Sequence, residues 1–204
     1  SELELIVKYA QAHDVKPALG MRVKLSARGA GKWETSGGAR SKFGLFIVEL
    51  VRGLAYLEER GMADCFKLLH FHLGSQITNI RNVKDAVNEL ARIYVELKQA
   101  GAGLESIDVG GGLGVDYDGS QTNYDSSMNY TLAEYAADVV YRIGAVCDDA
   151  EVEHPTIISE SGRALVAYHS ALIFDVLETS RFDQFEAPTK IPGDPEESPQ
   201  PLVD

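Results

Sequence analysis

Apolar residues recur along this chain in two alternating rhythms. Leu3, Ile6, Val7 and Ala10 fall at helical spacing and predict a helix over residues 3–13, ended before Pro17. Residues 19–26 (LGMRVKLS) then read as a strand, and a loop rich in Gly, Ser and Arg follows over 27–41. A helix is predicted over 43–60, stopped by a glycine cap at Gly61, and 66–73 is a short apolar run of strand length. The next helix spans about 82–100, with Val83, Val87, Leu90, Tyr94 and Leu97 on one face, and Gly101 ends it. Ser106 to Val109 is a buried strand running into Gly110, Gly111 and Gly112. Thr131 and Glu134 have capping-box spacing for a helix reaching Cys147. Strands are predicted over 156–159 and again over 170–178.

Strand and helix alternate, and the strand runs are apolar on both faces, as parallel strands buried beneath helices are. The fold class is therefore α/β, either an open doubly wound sheet or part of a (β/α)8 barrel. A barrel takes about 250 residues, and five predicted strands in 204 residues make any barrel a partial one. The barrel portion is assigned to residues 1–180. Within 181–204, Pro188, Pro192, Pro195, Pro199 and Pro201 stand among acidic and polar residues, which predicts a linker or the start of an insertion.

Composition narrows the function classes. Apolar residues at 45% and charged residues at 25% are the balance of a soluble globular domain. A net charge of −12 disfavours nucleic acid and anionic membrane as partners. The longest apolar stretch, Phe43 to Val51, is broken by Gly44 and Glu49 and is too short to span a bilayer. Cys65 and Cys147 have neither metal-ligand spacing nor a disulfide framework, which points to a reducing compartment, the cytoplasm. No signal peptide is visible, although Ser1 in place of an initiating Met leaves room for a removed leader and so for the periplasm.

Candidate chemistry lies at the C-terminal ends of three predicted strands, where parallel α/β folds bind ligands. The clusters are His70 to Ser75 (HFHLGS), Asp108 to Gly112 (DVGGG) and Glu160 to Arg163 (ESGR). Three glycines in a row cost roughly 0.5–1 kcal/mol each in backbone entropy. Either a phosphate-cradling amide loop or a tight βα turn accounts for them. Arg163 fits a phosphate grip or a surface ion pair. Glu160, ending an apolar strand, is expected to be partly buried and to have a partner, either a structural arginine or a protonated ring nitrogen of a cofactor. His72 shares a strand face with His70 and reads as a core residue or a ligand. A zinc site is the weaker reading, since His13, His154 and His169 add no supporting spacing. Arg22 and Lys24 share one face of their strand and either line the site or mark it as exposed.

Taken together, HxGS, a strand ending in GGG and then ExGR resemble the fold-type III pyridoxal-phosphate decarboxylases, over nearly the whole chain to about residue 180. Within them, Gly31-Lys32-Trp33, Ser36-Gly37-Gly38, Ser41 to Leu45 (SKFGL), His70 to Gln76 (HFHLGSQ) and Ile107 to Tyr117 (IDVGGGLGVDY) are similar to the biosynthetic arginine decarboxylase family. The resemblance implies an alanine racemase-like barrel and decarboxylation of L-arginine to agmatine in polyamine biosynthesis. It implies pyridoxal 5'-phosphate as cofactor, with Mg2+ and a homo-oligomer carried by the family alone. It makes His72 and Glu160 the catalytic residues, His72 stacking on the cofactor ring and Glu160 holding its nitrogen protonated. Ser75, Gly110, Gly111, Gly112, Gly162 and Arg163 would bind the phosphate. The stretch Ile107, Asp108, Val109, Gly110, Gly111, Gly112, Leu113, Gly114, Val115, Asp116 and Tyr117 would contact substrate. The family's Schiff-base lysine would precede Ser1, Lys24 is not cast in that role, and a C-terminal β-domain would follow Asp204. A fragment so bounded is expected to be inactive alone. Diaminopimelate decarboxylase shares HxGSQ, GGGLG and ExGR, but the segment Lys32 to Leu45 distinguishes it. A non-catalytic pyridoxal-phosphate binder or regulatory relative is the other alternative.

Overall fold

Four of the short apolar runs form strands of one sheet. A computed structural model describes residues 1–27 and 41–179. The strands are β1 (Leu19–Arg22), β2 (Phe66–His70), β3 (Ser106–Asp108) and β4 (Thr156–Ile158), in the spatial order β1-β2-β3-β4. Each neighbouring pair is parallel, with Arg22 opposite His70, His70 opposite Asp108, and Asp108 opposite Ile158. Between them run α1 (Glu2–Ala12, before β1), α2 (Ile47–Glu58), α3 (Ile80–Gln99) and α4 (Leu132–Asp149), with a short α5 (Gly162–Val166) after β4. This is an open arc of a parallel β/α barrel, in keeping with the alternation in the sequence.

Strand alternation sorts the side chains by face. Phe66, Leu69 and Ile107 are completely buried in the core with Leu50, Leu57, Val87, Leu90 and Leu104. His70 and Asp108, of opposite parity to Leu69 and Ile107, are only half-buried. On α3 the predicted stripe Val83, Val87, Leu90, Tyr94 and Leu97 is buried throughout. The helix starts at Ile80 because the Asn79 side chain accepts a hydrogen bond from the Arg81 amide at 3.0 Å. Thr131 caps α4 by accepting the Glu134 amide at 3.1 Å. The Glu134 carboxylate lies instead 3.8 Å from Lys84 Nζ, one of the charges that join α3 to α4.

Two expectations are corrected. The helix predicted from residue 43 begins at Ile47, because Leu45 forms an isolated parallel bridge with Val23 just past β1: its amide donates to the Arg22 carbonyl and its carbonyl accepts from Lys24, both at 2.8 Å. Gly44, at φ +90°, makes the turn that allows this. Ser170 to Glu178, expected as a further strand, has no regular secondary structure. Its apolar residues Leu172, Ile173, Phe174, Val176 and Leu177 are exposed. An apolar run supplies faces for a strand, but a strand also needs a hydrogen-bonded neighbour, and this segment makes no backbone ladder among the described residues. Residues 1–169 form one compact unit and a second unit starts at Ser170. The predicted tail over 181–204 and the motifs Gly31-Lys32-Trp33 and Ser36-Gly37-Gly38 lie outside the described residues. Among the described residues, no helix is long and apolar enough to cross a membrane.

Candidate functional site

The in-register sheet brings Arg22, His70 and Asp108 abreast, so the segments that follow β2, β3 and β4 leave from one edge. His72, Gly110 to Gly112 and Glu160 to Arg163 all lie at that C-terminal edge. The glycine run is where three backbones meet. A Cβ at Gly110 would stand 2.4 Å from the Phe71 carbonyl oxygen, one at Gly111 2.5 Å from that of Glu160, and one at Gly112 2.1 Å from that of Gly74. Close backbone approach therefore excludes a side chain at each position. The Gly110 carbonyl also accepts the Glu160 amide at 2.8 Å, which ties the third cluster to the second.

The amides of this turn are unequally engaged. Gly110 donates to Asp108 Oδ1 at 2.8 Å, a strong local bond that commits it to the turn. Gly111 donates a long 3.4 Å bond to His72 Nδ1. With Nδ1 accepting, the proton of the neutral imidazole belongs on Nε2. His72 is half-buried, and burial lowers its pKa, reinforced by the nearby Arg22 charge and by His70. Glu160 and Asp108 oppose this shift, and the net direction is downward.

Arg163 and Ser75, 88 positions apart, meet directly: Arg163 Nη2 donates to Ser75 Oγ at 2.8 Å. Arg163 Nη1 donates to the Tyr117 hydroxyl at 3.1 Å, so the guanidinium stands between the loops after β2 and β3. Arg163 is exposed, and Gly162 before it opens α5. Glu160 is exposed as well, which corrects the expectation of partial burial. Among the described residues β4 is the last strand of the sheet, and its Thr156 and Ile158 are exposed too. Apolar character along a strand gives burial only where a neighbour covers it.

Oxygen or nitrogen atoms of His70, Asp108 and Glu160 lie within 4.8 Å of one another. His70 Nδ1 is 3.1 Å from Asp108 Oδ2, at ion-pair distance but without hydrogen-bond alignment. The sequence pairs His70 with His72 by parity, and it gives no signal for Asp108 and Glu160 as its neighbours. Magnesium favours about six oxygen ligands. This set offers one nitrogen and two carboxylates, one of which already serves Gly110, so it does not fit that ion. Burial lowers the pKa of the Arg22 guanidinium while the Glu160 charge opposes the shift. Arg22 lies 5.4 Å from the centre of the Phe43 ring and Lys24 4.3 Å from that of Phe46. Arg22, Lys24, Ser41, Phe43 and His72 line a shallow cleft beside the glycine turn.

Beyond the glycines, Leu113, Gly114 and Val115 are buried, while Asp116 is half-buried and Tyr117 exposed. Asp116 Oδ1 accepts from Ser127 Oγ at 2.6 Å, so this carboxylate is already engaged. Asp118 accepts from Ser126 Oγ at 2.5 Å and from the Ser120 amide at 2.9 Å, and these bonds hold its pKa down at about 2. Two residues given no role by sequence reasoning stitch the loops together. Tyr130 accepts the Gly114 amide at 2.9 Å and donates to the Ile77 carbonyl at 2.7 Å. Gln76 exchanges two hydrogen bonds with Val115. Gln76 stands in the HFHLGSQ motif, whereas Tyr130 has no motif to reveal it.

A parallel β/α arc with a glycine turn, a serine–arginine pair and a carboxylate at one edge has the parts of a phosphorylated-cofactor site. The chain matches the pyridoxal binding domain of pyridoxal-dependent decarboxylases over residues 1–167, and it belongs to that family. Its relatives narrow the branch. It is 54% identical over 197 residues to the biosynthetic arginine decarboxylase of Rhodopirellula baltica, covering 96% of this chain and 30% of that protein. Identity to the biosynthetic arginine decarboxylase of Deinococcus radiodurans is 55% over 180 residues, covering 88% and 27%. Among solved structures, the biosynthetic arginine decarboxylase SpeA of Campylobacter jejuni superposes with a TM-score of 0.68 at 38% identity, over 79% of this chain and 26% of that one. A point mutant of Helicobacter pylori diaminopimelate decarboxylase, complexed with L-lysine, gives 0.65 at 25% identity, over 78% and 37%. The chain spans about three-tenths of the length of the curated relatives it matches.

Proposed function

We propose that this chain is the cofactor-binding part of a decarboxylase that converts L-arginine to agmatine and CO2, a step of putrescine and spermidine biosynthesis. The observation that carries the reading is the meeting of Arg163 with Ser75 at the edge that also holds His72 and Glu160. Identity above one half to biosynthetic arginine decarboxylases supports arginine over diaminopimelate as substrate. Bound pyridoxal phosphate supplies an electron-accepting ring that makes loss of CO2 from an amino acid feasible. Arg163 and Ser75 bind its phosphate, helped by the amides of Gly112 and Gly162, and by that of Gly111 once it leaves its long bond to His72 Nδ1. Gly110, whose amide is given to Asp108, shapes the turn instead. His72 packs on the ring as a neutral imidazole and adds no charge beside Arg22. Glu160 holds the proton on the ring nitrogen by charge pairing. The stretch Ile107 to Tyr117 contacts the substrate, with the cofactor on its glycine side. Magnesium has no assigned ligands in this proposal. We place the protein in the cytoplasm as a homo-oligomer, and two free buried cysteines accord with a reducing compartment.

Glu160→Gln in the full-length protein tests the reading. Glutamine keeps size and hydrogen bonding but loses the charge that retains the proton. Cofactor stays bound, because the phosphate grip lies elsewhere, while the decarboxylation step slows about a hundredfold, for a loss on the order of 3 kcal/mol. Single-turnover kinetics on the folded, cofactor-loaded variant measure that step. A wild-type rate there removes Glu160 from the chemistry.

A further inference from the structure

Gln76 is tied into the loops more completely than a half-buried surface side chain requires. Its Oε1 accepts the Val115 amide at 3.0 Å, and its Nε2 donates to the Val115 carbonyl at 2.7 Å and to the Ser127 carbonyl at 3.3 Å. The side-chain amide thus pairs with one residue's backbone as a neighbouring strand would. Its own backbone sits at φ +54°, a conformation that side-chain-bearing residues adopt infrequently and that surrounding contacts must hold. One residue earlier stands Ser75, whose hydroxyl accepts from Arg163. One residue later, the Ile77 amide donates to the Gly112 carbonyl at 2.9 Å. Gln76 is therefore the point at which the Gly74–Ser75 turn is fastened to the loop that begins with the three glycines.

We propose that Gln76 is a positioning residue for the phosphate grip: its amide clamp on Val115 sets where Ser75, and through it Arg163, stands relative to the glycine turn. The proposal rests on the reading of this edge as a phosphate site. The clamp needs an amide in particular. A carboxylate of the same shape would accept the Val115 amide but would set an oxygen against the Val115 and Ser127 carbonyls, where Nε2 now donates. Gln76→Glu is therefore close to isosteric yet breaks the clamp. Gln76→Met removes it without adding charge, at a position exposed enough to take an apolar side chain.

The test separates the phosphate from the ring. Pyridoxine phosphate and pyridoxine carry no aldehyde, so their binding to the full-length apoprotein is non-covalent, and the ratio of the two dissociation constants reads the phosphate grip alone. Wild-type protein prefers the phosphorylated compound. In Gln76→Glu and Gln76→Met that preference falls about tenfold, the worth of one or two hydrogen bonds passed on to the grip, while pyridoxine binding changes little. Equal weakening for both compounds overturns the proposal, since Gln76 would then support the fold in general. An unchanged preference in both variants, each melting as a folded protein, overturns it as well. A wild-type protein with no preference for the phosphorylated compound sinks the phosphate site itself, and the positioning role with it.

Discussion

Arg163→Ala removes a guanidinium that spans the loops after β2 and β3, and its cost can be worked from what that group touches. It donates to Ser75 Oγ and to the Tyr117 hydroxyl, at 2.8 and 3.1 Å, and it is exposed. Exposed polar contacts of this kind add little to folding, so the variant loses no more than about 0.5 kcal/mol of stability. Toward a phosphate the group makes charged hydrogen bonds, worth about 1.5–3 kcal/mol. Solvent access places the effect near the lower end of that range, a loss of roughly tenfold in affinity. Arg163→Lys keeps the charge but not the planar fork, and recovers only part of it. Ser75→Ala costs less alone, and the double variant loses less than the sum, because the two side chains share one arrangement. Titration of the full-length apoprotein with pyridoxal phosphate, followed by absorbance, gives each dissociation constant. Unchanged affinity in Arg163→Ala refutes the reasoning and leaves Arg163 as a surface residue bonded to Tyr117 and Ser75.

Gly112→Ala should abolish cofactor binding and lower the thermal midpoint, because the added Cβ would stand 2.1 Å from the Gly74 carbonyl at a φ of +93°; a normal midpoint with normal titration contradicts this. His72 has a folded pKa below its ordinary 6.5, so below that pH the unfolded chain binds more protons than the folded one and stability falls as pH falls. Urea denaturation across pH 5–7 should show a smaller loss for His72→Gln than for wild type, and identical slopes would remove His72 as a source of the acid loss.

The strands were legible because Leu69 and Ile107 sit in runs apolar on both faces, a pattern only a covered parallel sheet requires. The stripe of α3 and the cap at Thr131 were legible for the same local reason. What escaped depends on partners distant in sequence. Leu45 looks helical until Arg22 and Lys24 take its backbone groups. Glu160 looks half-buried from its apolar strand, but among the described residues nothing pairs with the far side of β4 and Glu160 is exposed. The 170–178 run has strand composition and, among the described residues, no ladder. Gln76 and Tyr130 act across 39 and 53 positions, and no spacing rule reaches that far. The motif positions themselves carried further, because strand ends in a parallel sheet converge whatever the loops between them do.

CO2 release by the cofactor-loaded full-length protein decides whether it is a pyridoxal-phosphate decarboxylase acting on arginine. L-arginine and meso-diaminopimelate are supplied in parallel, with agmatine and lysine measured beside the gas. CO2 and agmatine are expected in equal amounts from arginine, with dependence on added cofactor and negligible release from diaminopimelate. Lysine and CO2 from diaminopimelate with none from arginine, or no release from either by protein shown to hold the cofactor, would contradict it.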